Sequence, residues 1–321
     1  MIYAAMLAFA ITAILTPIAI PLLRMLKFGQ SIRDIGPSWH NKKAGTPTMG
    51  GIAFIIGIVV ATIVLCGFSS NVLLLLTGSL GFGIIGLMDD FIKIVLKRNL
   101  GLKAWQKIVL QLIVAIIFII MGQGIGALDS NISIPFTSNL FDLGQWYLPV
   151  AVFIILATVN SVNLTDGIDG LASSVTGVVM IFFAAALFCL TNSFTYISSV
   201  TYVFAGACFG GLIGFLIYNS YPAKIFMGDT GSLFLGGAVV SLALIMKNPI
   251  IIVIVGFVYF VEALSVIVQV ASFQLTGKRI FRMSPIHHHF EMCGWSEIKI
   301  VSVFSVVTGI LALIAFYGIL Y

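Results

Sequence analysis

The sequence predicts an all-α, polytopic membrane protein of about ten transmembrane helices, with both chain ends outside and a single integral membrane domain over 1–321. Three observations predict it. Of the 321 residues, 60% are hydrophobic and only 8% charged, against about 25% charged in ordinary soluble domains. The mean hydropathy of +1.16 excludes a soluble globular, a disordered or a collagen-like chain. Finally, the apolar residues fall in long charge-free stretches, and nearly all basic residues lie in alternate gaps between them.

The stretches define the helices in order. Residues 1–23 carry no charge and are followed by Arg24 and Lys27, so they read as a first span rather than a cleaved signal, which would have a basic start. The stretch 44–88 breaks at Gly67-Phe68-Ser69-Ser70-Asn71, and 170–223 breaks at Thr191-Asn192-Ser193, so each supplies two helices. The expected spans are about 2–23, 50–67, 72–90, 105–121, 147–162, 171–190, 197–217, 231–246, 249–272 and 298–320. Between the fourth and fifth, the alternation of Ile132, Ile134 and Phe136 suggests a small extracellular hairpin.

Fifteen of the sixteen basic residues then lie on one side, with only Lys247 opposite. By the positive-inside rule that side is cytoplasmic. The same bias explains the net charge of +5 without nucleic acid. The four cysteines have neither metal-ligand spacing nor a disulfide framework.

Most acidic residues collect at the basic side. Asp89 and Asp90 end the third span, at the unfavourable end of a helix dipole, where a divalent cation or basic residues would relieve them. The glycines of Gly81-Phe82-Gly83-Ile84-Ile85-Gly86 formally match a dinucleotide fingerprint, but no strand precedes them; close helix packing explains them better.

Asn163-Leu164-Thr165-Asp166-Gly167-Ile168-Asp169-Gly170 places Asn163, Asp166 and Asp169 three residues apart. One helical turn would gather them, and the glycines mark a broken helix end where amides meet phosphate. Asp229, in Phe226-Met227-Gly228-Asp229-Thr230-Gly231-Ser232, opens the eighth span, as a helix cap, a metal ligand or both. His287, His288 and His289 cannot all ligate one metal from a helix; phosphate binding or proton handling fits them better. Glu262 and Gln269 share one face of the ninth span, and an intramembrane carboxylate should face the bundle interior. Lys42 and Lys43 precede Thr46, Thr48 and three glycines, a basic loop with room for phosphate. Carboxylates with lysines, and no cysteine or histidine cage, favour Mg²⁺ over zinc, and Mg²⁺ with lysines favours a phosphorylated substrate.

In this order the motifs Gly45 to Gly51, Asp89-Asp90, Asn163 to Gly170, Phe226 to Ser232 and Ser284 to Glu291 resemble the polyprenyl-phosphate N-acetylhexosamine-1-phosphate transferase superfamily over essentially the whole chain. The uninterrupted His287-His288-His289 is most similar to its muramoyl-pentapeptide branch. The resemblance implies an Mg²⁺-dependent transfer at the cytoplasmic membrane face: undecaprenyl phosphate attacks UDP-MurNAc-pentapeptide, giving lipid I and UMP. It implies that Asp229 binds Mg²⁺, with Asp89 and Asp90 serving metal and lipid phosphate, and that His288 belongs to the catalytic group. Asp169, Gly167, Ile168, Phe226 and Lys43 would line a uridine pocket, with Phe226 stacked on uracil. Asn163, Asp166, Asn219, Lys97, Thr48, Gln269, His287 and His289 are further implied contacts. A homodimer and nucleoside antibiotics at the uridine site are implied as well. The alternatives are transfer of another UDP-amino sugar, or a lipid or ion transporter. A transporter would cluster its polar residues at the midplane of a repeat, and neither is evident here.

Overall fold

A computed structural model describes residues 1–25, 45–96, 101–137, 139–191 and 198–320. Lys43 and Lys97 lie outside the described residues. The helices are α1 (Ile2–Met25), α2 (Gly51–Cys66), α3 (Ser70–Val95), α4 (Ala104–Gly124), α5 (Tyr147–Thr165), α6 (Leu171–Thr191), α7 (Ser199–Asn219), α8 (Gly228–Ile245), α9 (Ile251–Val255), α10 (Phe257–Thr276), α11 (Ile286–Met292) and α12 (Glu297–Leu320). Nine of the described helices are long and apolar enough to cross a membrane, and α2 is a shorter apolar helix. The expected hairpin forms from β1 (Asn131–Ser133) and β2 (Leu140–Asp142), antiparallel with Ile132 opposite Phe141.

The hairpin marks one end of the bundle. Ser133 N–H donates to the Lys247 carbonyl after α8, and Phe136 N–H to the Gly318 carbonyl near the end of α12. Lys247, the one basic residue expected on this side, pairs with Asp129 at 2.5 Å.

The bundle is organised around α8. Every residue from Thr230 to Ile245 is buried, so this helix contacts protein on all sides. Its most extensive partner is α3, followed by α5. Close approach explains the glycine pattern: a Cβ on Gly86 would lie 2.6 Å from Thr230 N and nearer still to the Asp229 carbonyl, and one on Gly83 would lie 3.2 Å from Phe234 Cβ. The glycines of α3 are therefore packing residues, as expected, and they bring the end of α3 against the start of α8.

Two segments differ from the expected pattern. Helix α3 continues past residue 90 to Val95, because Lys93 reaches back one turn to Asp89 and makes the charged end compatible with a helix. The ninth span is not continuous: Gly256, the poorest helix former available short of proline, separates α9 from α10. The histidine segment is helical: α11 starts directly after Pro285, whose fixed φ suits a helix entrance.

Candidate active site at the start of the central helix

Asp89 and Asp90 come from the last turns of α3, and Asp229 from the first turn of α8. One carboxylate oxygen from each lies within 4.8 Å of the others. Asp90 is spent partly on structure. Its Oδ1 accepts from Asp229 N–H at 3.2 Å, and its Oδ2 from the Thr230 N–H at 2.9 Å and hydroxyl at 2.8 Å. It thus caps α8 from a different helix, satisfying amides that a helix start leaves without partners. Asp89 Oδ1 accepts from Leu102 N–H at 2.9 Å, tying the approach to α4 to the same point.

Two lysines enter this cluster. Lys93 Nζ is 2.6 Å from Asp89 Oδ2, 3.8 Å from Asp90 Oδ1 and 3.0 Å from Asp229 Oδ2. Lys107, from the first turn of α4, is 3.1 Å from the same Asp229 oxygen and 3.2 Å from Asn163 Oδ1. Asn163 in turn donates from Nδ2 to Asp229 Oδ1 at 2.9 Å and to Ser232 Oγ at 2.8 Å. Both oxygens of Asp229 are therefore oriented by groups from three other helices. Three carboxylates against two lysines leave a formal negative charge, and the only donors are hard oxygens. The group fits a divalent cation of the Mg²⁺ type: an ammonium already stands within 4 Å of all three carboxylates.

Apart from one local spacing, nothing in the sequence marks Lys93 or Lys107 as a site residue beyond their place among the fifteen basic residues of one side. Lys93 had a local signal, since positions i+3 and i+4 from Asp90 and Asp89 share their helix face. Lys107 had none, being 122 residues from Asp229.

The loop before α2 joins the same place. Phe226 N–H donates to the Pro47 carbonyl at 2.9 Å, and Gly50 and Gly51 N–H donate to the Phe226 and Met227 carbonyls at 2.8 and 3.0 Å. This strand-like pairing sets Thr48 beside Gly228, where a Cβ would meet Asp90 Oδ2 at 2.5 Å and Thr48 Oγ1 at 2.9 Å. Gly228 also has φ +71°, so two constraints require glycine there. Phe226 is half-buried at the head of this loop.

Asn163 and Asp166 are separated by the end of α5, where Asp166 is the C-cap. Asp166 is partly buried; desolvation, and then the charges of Asp229, Asp90 and Asp169, push its carboxyl up to about 8. Asp169 faces a different neighbourhood. Its Oδ2 accepts from Ala223 N–H at 2.8 Å and its N–H donates to Glu297 Oε2 at 3.0 Å. Gly167 is exposed and Ile168 buried. Asn219 is buried, accepting from Ser173 at 2.8 Å and donating to the Ile225 carbonyl at 3.0 Å, so its amide holds the 220–227 loop. Gln269 accepts from Ile280 and Phe281 N–H at 3.0 and 2.9 Å and donates back to the Phe281 carbonyl, bracing the loop that leads to the histidines.

The three histidines take different partners, although the rings of His287 and His288 meet edge to face with centroids 4.1 Å apart. His287 is fully buried with Nδ1 2.9 Å from Glu262 Oε2. Nδ1 of His288 is 2.6 Å from Glu291 Oε2. His289 accepts from Arg282 N–H at 3.2 Å on an exposed surface.

The pattern of glycosyl transferase family 4 matches residues 72–247, and the first signature of phospho-N-acetylmuramoyl-pentapeptide-transferase matches residues 43–55. The phospho-N-acetylmuramoyl-pentapeptide-transferase of Clostridium novyi (strain NT) is 51% identical over 321 residues, 100% of this chain and 97% of that protein. The protein of the same name from Clostridium botulinum (strain Alaska E43 / Type E3) is 51% identical over 318 residues, covering 98% and 95%. That from Thermoanaerobacter pseudethanolicus is 47% identical over 319 residues, covering 99% and 98%. With the motif order, the membrane-spanning helices and the acidic cluster between α3 and α8 in agreement, the chain belongs to glycosyl transferase family 4, among the phospho-N-acetylmuramoyl-pentapeptide-transferases.

Proposed function

We infer that this multi-pass bacterial membrane transferase moves phospho-MurNAc-pentapeptide from UDP-MurNAc-pentapeptide to undecaprenyl phosphate at the cytoplasmic face, releasing UMP and forming lipid I. The observation that carries the reading is the meeting of Asp89, Asp90, Asp229, Lys93 and Lys107 where α3 ends and α8 begins, at the basic end of the bundle. A prenyl chain stays in the bilayer, so its phosphate arrives at the depth of a helix end.

The chemistry is displacement at phosphorus. An oxygen of the lipid phosphate forms a bond to the β-phosphorus of the nucleotide sugar, and the bond from that phosphorus to the UMP oxygen breaks. The phosphate monoester is itself the nucleophile, so the protein's task is positioning and charge neutralisation. Lys93 and Lys107 stand ready to turn from carboxylates to phosphate oxygens. Asn163 keeps Asp229 oriented while they do so. Asp90 holds α8 in register through its cap. Held by Asp89, Asp90 and Asp229, Mg²⁺ would supply neutralisation of the diphosphate and the departing UMP.

For the nucleotide, Gly167, Ile168, Asp169 and Phe226 line the uridine end, with Lys43 and Lys97 contributing from the two basic loops and Asp166 beside them. Thr48 contacts the diphosphate, His288 belongs to the catalytic group, and His287 and His289 contact the substrate. Asn219 and Gln269 act by holding the 220–227 and 278–281 loops. The protein works as a homodimer, and nucleoside antibiotics compete at the uridine end.

The test uses purified protein in lipid nanodiscs with both substrates. Release of UMP that needs undecaprenyl phosphate, disappears with a chelator and returns with Mg²⁺ is expected. No UMP under any metal condition would remove the reading.

A further inference from the structure

Glu262 has no part in the site as described, yet it is fully buried inside α10, where an unassisted carboxylate is costly. Its hydrogen-bonding partner is His287, through the ring Nδ1 at 2.9 Å and, more distantly, the backbone N–H at 3.4 Å, both to Oε2. The contact ties α11 to α10 and sets the ring. A carboxylate oxygen that takes the backbone N–H is an acceptor, so Nδ1 carries the proton toward it and Nε2 is the ring's open position.

Nε2 has no partner, although it is buried, and neither does the other Glu262 oxygen. Buried polar atoms are nearly always paired, so two orphans in one dyad need a reason. The direction of Nε2 supplies one. A Cβ on Gly167 would overlap Nε2, and Gly167 itself is exposed. Nε2 thus faces a residue without a side chain, in the turn that carries Asp166 and Asp169.

We propose that Glu262 is a positioning residue for nucleotide-sugar binding: it fixes His287 as the Nδ1–H tautomer and aims Nε2 past Gly167, to accept a hydrogen bond from a hydroxyl or amide N–H of the bound nucleotide sugar. The inference rests on the proposed function for its ligand, though not for the geometry of the dyad. It differs from a role in holding α11 alone, because a brace has no need of an open nitrogen.

The experiment compares wild type with Glu262→Gln, Glu262→Ala, His287→Gln and the double variant Glu262→Ala/His287→Gln in nanodiscs. Kinetics are measured with each substrate varied, and binding of UMP and of UDP-MurNAc-pentapeptide by calorimetry. Glu262→Ala is expected to raise the KM for the nucleotide sugar about ten-fold while leaving that for lipid phosphate within two-fold. Glu262→Gln, which keeps an acceptor oxygen, should recover most of the loss, and the double variant should bind no worse than His287→Gln. Nitrogen NMR of histidine-labelled protein, with His287→Gln giving the assignment, should report the Nδ1–H tautomer in wild type and its loss in Glu262→Ala. Nε2 should shift when nucleotide sugar binds. Equal losses for both substrates, additive losses in the double variant, or an Nε2 signal unmoved by saturating nucleotide sugar would each overturn the proposal. If wild type releases no UMP, the functional reading fails instead, while the tautomer measurement still judges the dyad.

Discussion

Gly86→Ala would force α3 away from the start of α8. Gly86 lies on α3 one turn before Asp89 and Asp90, against the first turn of α8. An added Cβ would sit 2.6 Å from Thr230 N, whereas ordinary contact begins at 3.4 Å, so the helices must separate by at least about 0.8 Å. The neighbour is backbone and cannot swing aside. The Asp90–Thr230 bond starts at 2.9 Å, and the same displacement carries it beyond hydrogen-bond range. Hydrogen bonds to a charged group are worth about 1.5–3 kcal/mol each, and overpacking alone costs about 1–3 kcal/mol. A misplacement near 1 Å at a reacting centre can cost about 100-fold in rate, the equivalent of roughly 2.7 kcal/mol. We therefore expect UMP release to fall about 100-fold and the thermal midpoint to drop. Gly309→Ala, at a position with nothing within 4 Å, serves as control and should keep its activity and gain up to about 1 kcal/mol of helix stability. A Gly86→Ala protein with wild-type turnover and an unchanged midpoint would refute the account of α3 against α8.

Asp229→Asn should leave the fold intact, since Asn retains an acceptor for Lys93 and Lys107, but lower turnover by at least about 100-fold across a Mg²⁺ titration, measured as UMP release. Phe226→Ala should weaken binding of a uridine ligand by about 1–3 kcal/mol in calorimetry without shifting the Mg²⁺ midpoint. Under the proposed direct attack by the lipid phosphate, nucleotide substrate without lipid should give no single-turnover burst of UMP; label retained on Asp89 or Asp90 would contradict this. Asp166→Asn should flatten the pH dependence of stability. The wild-type carboxyl is pushed up to about 8 when folded, so stability is full below its unfolded value and is lost as pH rises through about 8. Thermal midpoints at pH 5 and pH 9 measure the difference.

The sequence alone determined the membrane architecture, because hydropathy and loop charge are local and additive. Span limits such as 171–190 for Leu171–Thr191 needed no knowledge of neighbours, and the hairpin announced itself by alternation. It also determined which residue types crowd one end, since an acidic residue in a chain this poor in charge stands out. Asp89, Asp90 and Asp229 were legible for that reason.

Tertiary structure decided how those residues divide their work. Adjacent in sequence, Asp89 and Asp90 face different tasks, because only the crossing of α3 against α8 lets Asp90 cap the helix start, chiefly through Oδ2, while Asp89 takes the Leu102 N–H. Lys107 reaches Asp229 because α4 packs against α3 and α5, a relation no spacing encodes. Asn219 and Gln269 also hydrogen-bond to the backbone of the loops that follow them, at Ile225 and at Ile280 and Phe281, contacts that only the fold reveals. The three histidines look equivalent as a run; the fold gives His287 to Glu262, His288 to Glu291 and His289 to the Arg282 N–H and the Phe281 ring.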